Sequence, residues 1–180
     1  MKYIALLRGI NISGKNKISM KELKSELENN KYQNVTTYLN SGNIIFESDL
    51  DQETLMKDIH NILKKKFDLE IPVYIISGSE LEDILNHHPD WWGNDNKEIY
   101  DNLIFIIPPT QYDEVYNVIG EPTKDIEIIR EYKSCIFWSY SLKDYRKSSW
   151  WKKTASTYIK DQITIRTART MRKVLEICKR

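Results

Sequence analysis

Side chains able to hold an anion crowd the start of this 180-residue chain. Arg8, Gly9, Asn11, Gly14, Lys15 and Asn16 follow an apolar run, and Tyr38, Ser41, Gly42 and Asn43 lie beyond the next helix-like stretch. Together they offer a guanidinium, an ammonium, carboxamides and glycines whose backbone NH groups can approach a ligand closely. That set suits phosphate or carboxylate. Arg8 and Lys15 could also stabilise charge developing on a phosphorylated or carboxylated metabolite, with Tyr38 as a proton donor. Asn, Ser and Gly also make tight turns, and for the short segment 40–43 a turn is explanation enough. The polar segment 9–17 is longer than a turn before a helix requires, which favours a ligand there.

Residues 9–16 spell GINISGKN, one residue away from the phosphate loop G-x4-G-K-[ST], and they follow a strand-like run. A working phosphate loop needs Ser or Thr after the lysine to ligate magnesium, and it runs directly into a helix. Here Asn16 holds that place and the helix signals begin only at Ser19. Nucleotide hydrolysis by this loop is therefore not expected. His87 and His88 beside Asp90 lack a third His or Cys nearby, so no metal site and no cofactor are expected. The doublets Trp91-Trp92 and Trp150-Trp151 could stack on bases, yet one Trp of each is expected in a core. The carboxylates show no informative pairing, and no Ser, His and Asp spacing indicates a nucleophile.

The net charge of +1 conceals an asymmetry. Residues 141–180 hold twelve Lys and Arg against three Asp and Glu, so the rest of the chain is acidic. Arg166, Arg169 and Thr170 at the start of the last helix are thus further candidate ligand residues, and nothing in the sequence says whether they reach the first loop. The alternative is a solvated helix face that offsets acidic surface of the same molecule, or that meets another protein.

These residues need elements to position them. Residues 2–8 read as a central strand. A helix fits 19–29, with Ser19 as N-cap, Glu22 completing a capping box, and Met20, Leu23 and Leu27 on one face. Strands at 35–39 and 44–48 make a hairpin, Leu55, Ile59, Ile62, Leu63 and Phe67 stripe a second helix, and 71–76 is a fourth strand. A short helix capped by Ser77 follows. The order βαββαβ is that of a ferredoxin-like unit, in which the loop after the first strand lies beside the hairpin. The second half repeats it. Strands are expected at 103–107, 126–130, 135–140 and 163–165, and helices from 112, over 150–160 and from 167. At an offset of 90 residues Ser77 matches Thr167 and Leu81 matches Met171. The expectation is an α+β protein of two ferredoxin-like βαββαβ(α) subdomains, 1–90 and 98–180, related by internal duplication. The aperiodic stretch 87–97 would be the boundary.

No secretion signal opens the chain, no stretch approaches a membrane span, and Cys135 and Cys178 sit in apolar patterns. A cytoplasmic protein without membrane contact is expected. The partner would be an anionic small molecule or a nucleic acid. RNA on the sheet face has little support, since the middle strands offer only Tyr3 and Phe46 as aromatic platforms.

The chain resembles the bacterial family called domain of unknown function 1697. The likeness lies in ALLRGIN at 5–11, GKN at 14–16, Met20 with Leu23, and the V-x-T-Y-x-x-SGN-x-x-F pattern at 35–46, and in a C-terminal segment carrying Thr164, Arg166 and Thr170. Thr167 and Ala168 stand where the family has Asn and Trp. The resemblance implies a duplicated α+β fold in the bacterial cytoplasm, and it implies no activity.

Overall fold

The opening apolar run becomes strand β1 (Lys2–Leu7), whose last five residues are all buried. Such a strand has no polar side to turn to water, so it takes a central place. The chain continues through α1 (Met20–Asn29), β2 (Gln33–Tyr38), β3 (Asn43–Glu47), α2 (Gln52–Phe67), β4 (Val73–Ser77) and α3 (Gly78–Asn86). The first four strands form an antiparallel sheet in the order β2-β3-β1-β4. Ala5 pairs with Ile44 on one side and with Ile75 on the other. Strand β2 buries only Val35, in keeping with its place at the sheet edge, and a register shift interrupts it beside Asn34, where φ is +52°. Leu23 and Leu27 of α1 and Leu55, Ile59 and Leu63 of α2 pack with Ala5, Leu7, Ile44 and Phe46 in one core. The alternate residues Ile4, Leu6, Ile45 and Ile76 point to the opposite face and are buried too.

The second sheet has the same plan. Strands β5 (Ile99–Ile106), β6 (Glu127–Tyr132), β7 (Cys135–Ser141) and β8 (Ile163–Thr167) are antiparallel in the order β6-β7-β5-β8. Helix α4 (Tyr112–Ile119) joins β5 to β6, α5 (Ser149–Ser156) lies between β7 and β8, and α6 (Ala168–Cys178) follows β8. Its core joins Ile104, Ile136 and Trp138 to Val115, Ile119 and Trp150. The computed structural model describes residues 1–180. They divide into two units, 1–82 with 173–180 and 83–172, so the last turns of α6 belong with the first sheet. Within that first unit the Cys178 thiol lies so close to Gly78 that a Cβ there would be 2.7 Å from the sulfur. Lys179 also pairs with Glu82 at 2.5 Å.

Local chemistry explains the helix starts. The Ser19 hydroxyl accepts from the Glu22 amide at 3.3 Å, and the Asp51 carboxylate from the Thr54 amide at 2.9 Å. Ser77 and Glu80 form a reciprocal box: the Glu80 amide donates to the Ser77 hydroxyl at 3.2 Å, and the Ser77 amide to the Glu80 carboxylate at 2.9 Å. Thr167 caps α6 likewise, accepting from the Thr170 amide at 3.2 Å.

Two elements differ from the sequence expectation. The helix expected over 150–160 ends at Ser156, because Thr157 is extended (φ −98°, ψ 170°) and its hydroxyl donates to the Lys153 carbonyl at 2.7 Å. A 3-10 turn, Tyr158–Asp161, then buries Ile159. Strand β5 begins four residues before the expected 103, since its polar groups find partners within the second unit. Asp101 accepts from the hydroxyl of its cross-strand neighbour Ser139, and the Asn102 carbonyl accepts the Trp92 indole NH at 2.7 Å. No helix is long and apolar enough to cross a membrane.

Candidate functional site

The polar segment after β1 folds on itself. The Asn11 amide donates to the Asn16 carbonyl at 3.1 Å and the Lys15 amide to the Ile12 carbonyl at 2.9 Å, closing a miniature hairpin around Ser13 and Gly14. Both turn residues have positive φ, 49° and 78°, as a type I′ turn requires. Gly9, Asn11 and Asn16 also have positive φ, at 69°, 53° and 46°. Such a backbone persists only where its surroundings hold it. The physical distinction from a phosphate loop is now plain. The glycine and lysine serve a two-residue turn, and a helix start does not follow them directly.

Asn11 is the fastener. Its side-chain amide donates to the Ile18 carbonyl at 3.0 Å and to the Asn40 carbonyl at 2.9 Å, while its oxygen accepts from the Ile18 amide at 2.9 Å. One residue thus ties the loop to the start of α1 and to the turn between β2 and β3. Asn16 donates to the Gly9 carbonyl at 2.9 Å, and Asn43 donates to the Tyr38 carbonyl at 2.9 Å and to the Ser41 hydroxyl at 3.1 Å. Gly42 accepts from the Leu7 amide at 2.9 Å and also meets a steric demand: at φ +79° a Cβ would come within 2.6 Å of the Leu7 Cβ. The two sequence-distant polar segments do form one surface, and the carboxamides of Asn11, Asn16 and Asn43 within it are engaged with the chain's own backbone.

What this framework encloses is an open groove of about 710 Å³, bordered by Asn11, Gly14, Lys17, Ser19, Lys21 and Asn40. The first amides of α1 have no acceptor within the helix, so the groove floor carries partial positive charge beside two exposed lysines. Lys17 and Lys21 were not among the expected site residues. Their spacing of four residues across the Ser19 cap was the available signal. Lys15 is exposed on the far arm of the miniature hairpin, and neither it nor Tyr38 borders the groove. Arg8 is half-buried at the end of β1, where its amide donates to the Pro72 carbonyl at 3.0 Å.

Arg166, Arg169 and Thr170 belong to the second unit. Arg166 is buried in β8, donating to the Thr164 hydroxyl and the Ile165 carbonyl, both at 2.9 Å. The Thr170 hydroxyl pairs with that of Thr167 at 2.9 Å, and Arg169 is exposed. The rest of the basic helix is largely paired inside the molecule. Arg172 donates to the Gly93 carbonyl at 2.7 Å, Lys173 and Arg180 pair with Glu176, and Lys179 pairs with Glu82.

A group that sequence reasoning missed is Glu127, a buried carboxylate in the second unit. It accepts from the amides of Thr123 and Ser149 at 2.9 Å, the Ser149 hydroxyl at 3.0 Å, the Trp138 indole at 3.1 Å and the Ser148 hydroxyl. Burial pushes its pKa up, but the hydrogen bonds, led by that from Ser148, outweigh it and hold the carboxyl below the ordinary range. With its oxygens so engaged, Glu127 anchors the start of α5. His87 packs on Tyr132 with ring centres 4.9 Å apart, and no group of three His, Cys, Asp or Glu converges anywhere in the chain. Tyr3 and Phe46, on the middle strands of the first sheet, are core residues.

Two four-stranded antiparallel sheets with six helices and a polar groove beside the first strand define an α+β protein. Residues 1–137 match the family described as "Protein of unknown function (DUF1697)", and the chain belongs to that family. A solved structure, of the conserved bacterial protein SP0830 from Streptococcus pneumoniae, is similar over 98% of this chain and 98% of its own, at 29% identity and a TM-score of 0.87. Comparison with curated proteins gives no match.

Proposed function

We propose that this protein is a binding module for an anionic ligand, the phosphate of a nucleotide or of a nucleic acid, held in the groove between the loop after β1, the β2–β3 turn and the start of α1. The observation that carries this reading is the use of Asn11. A carboxamide with three internal hydrogen bonds holds a left-handed loop open over two lysines and a helix start, where a shorter loop would have closed the connection. Cations and backbone donors are what anion binding needs, and no nucleophile is required. We read the architecture as two ferredoxin-like halves, 1–90 and 98–180, derived by duplication. The identical strand orders and the matching caps at Ser77 and Thr167 support this. The free cysteines fit a cytoplasmic setting.

Thermal stability measured against mononucleotides and sugar phosphates tests the reading. A ligand that binds only the folded state, at 100 times its dissociation constant, adds about 2.7 kcal/mol. The shift should vanish in the Lys17→Ala, Lys21→Ala double variant and survive Lys15→Ala. No shift with any anion, or one that the double variant retains, refutes the groove as the site.

A further inference from the structure

A different surface, wholly within the second unit, is built from α5 and the two 3-10 turns packed against it, and it carries exposed aromatic and basic side chains. Trp150 and Trp151 are adjacent, yet Trp150 is fully buried with its indole NH donating to the Gly120 carbonyl at 3.0 Å, while Trp151 is 40% exposed. The core residue therefore fixes its neighbour's outward position. The Trp151 amide donates to the Ser148 hydroxyl at 2.8 Å, and Tyr145 meets the Trp151 ring edge-on at 4.8 Å. Tyr158, on the 3-10 turn that packs against α5, is 57% exposed. Between 142 and 160 stand six cations and one carboxylate, Asp144. Lys147 is paired with Asp144 at 2.7 Å and Lys153 donates to the Ile119 carbonyl at 2.6 Å. That leaves Lys143, Arg146, Lys152 and Lys160 exposed, with the Arg146 guanidinium 5.6 Å from the Tyr145 ring centre.

We propose that this face of α5 and the flanking 3-10 turns binds single-stranded nucleic acid, with bases stacking on Trp151 and Tyr158 and the backbone phosphates meeting the four cations. The occupant follows from the chemistry. A large flat aromatic held rigid at the surface among cations offers a stacking platform and phosphate partners together, whereas an acidic protein segment would use the cations and leave the rings idle. Double-stranded DNA presents no free base face to such a platform. The proposal does not depend on the groove in the first unit.

The test uses the full chain and fluorescently labelled 15-mers of deoxythymidine and of uridine, followed by anisotropy and by quenching of tryptophan emission. Trp151→Ala and Tyr158→Ala should each weaken binding about tenfold, and Trp151→Phe should keep most of the affinity. With four cations on the strand, the logarithm of the affinity should fall with the logarithm of salt at a slope of about 3, losing about 0.7 when Lys152 becomes Gln. Binding of both oligomers assigns the site to the shared base and phosphate chemistry, and binding of the RNA alone assigns it to a contact with the 2′-hydroxyl. The proposal is overturned by absence of binding at about 100 µM strand, the weak end of non-specific affinity. It is equally overturned if Trp151→Ala and Tyr158→Ala both retain full affinity, or if polyglutamate binds as well as the oligomers.

Discussion

Replacing Asn11 by alanine removes three hydrogen bonds of 2.9 to 3.0 Å and leaves a β-carbon at φ +53°. Each bond contributes about 1 kcal/mol net, and a non-glycine residue without a polar side chain adds about 1 kcal/mol of strain in the left-handed region. Asn11→Ala should therefore cost about 3 to 4 kcal/mol. Asn11→Gly loses the same bonds but not the backbone conformation, so it should be about 1 kcal/mol less harmful. Asn11→Asp keeps the acceptor for the Ile18 amide and turns a carboxylate oxygen toward two carbonyls. Its folded pKa would be raised, so the variant should be closest to the parent in acid and lose stability as pH rises through that value. Urea unfolding of the parent and the three variants, with amide exchange of Ile18 as a local probe, gives the ladder. If Ala and Gly are equal and both cost less than about 1 kcal/mol, the loop is not fastened by Asn11 and the argument for a held-open groove falls.

Gly42→Ala should cost about 3 kcal/mol in the same assay, from left-handed strain and from a β-carbon forced against Leu7, whose own Cβ cannot swing aside. Glu127→Gln should cost about 3 kcal/mol at neutral pH, because a charge-assisted acceptor becomes an amide facing donors. Since the folded pKa of Glu127 lies below its ordinary value of 4.5, its contribution is complete above that pH and is lost as pH falls through the folded value. Urea midpoints of the parent and Glu127→Gln should accordingly converge in acid. Both thiols are buried, and burial pushes Cys135 up to about 12, so neither should react with a disulfide reagent at neutral pH until the protein is unfolded.

The elements were legible because their signals are local. Ser19 with Glu22, Asp51 with Thr54 and Ser77 with Glu80 write helix starts into a few adjacent residues, and the unbroken run from Tyr3 to Leu7 states a central strand. The strand order of both sheets followed from element order, since a βαββαβ chain has few ways to close an antiparallel sheet. Where the expectation missed, long-range satisfaction of polar groups was the reason. Asp101 and Asn102 read as loop residues until Ser139 and Trp92 meet them, and Thr157 ends a helix whose apolar pattern continues to Ile159.

The sequence alone determined that Asn11, Gly14, Lys15 and Asn16 would form a polar loop beside 40–43, because residue type and topology suffice for that. Only the tertiary structure decided which of them serve the fold. Whether a carboxamide faces a ligand or three backbone atoms depends on where Ile18 and Asn40 come to rest, and no local pattern encodes that position. The same holds for the tryptophan doublet. Two identical side chains are adjacent in sequence, and the rotation of about 100° per helical residue sends Trp150 to the core and Trp151 toward water.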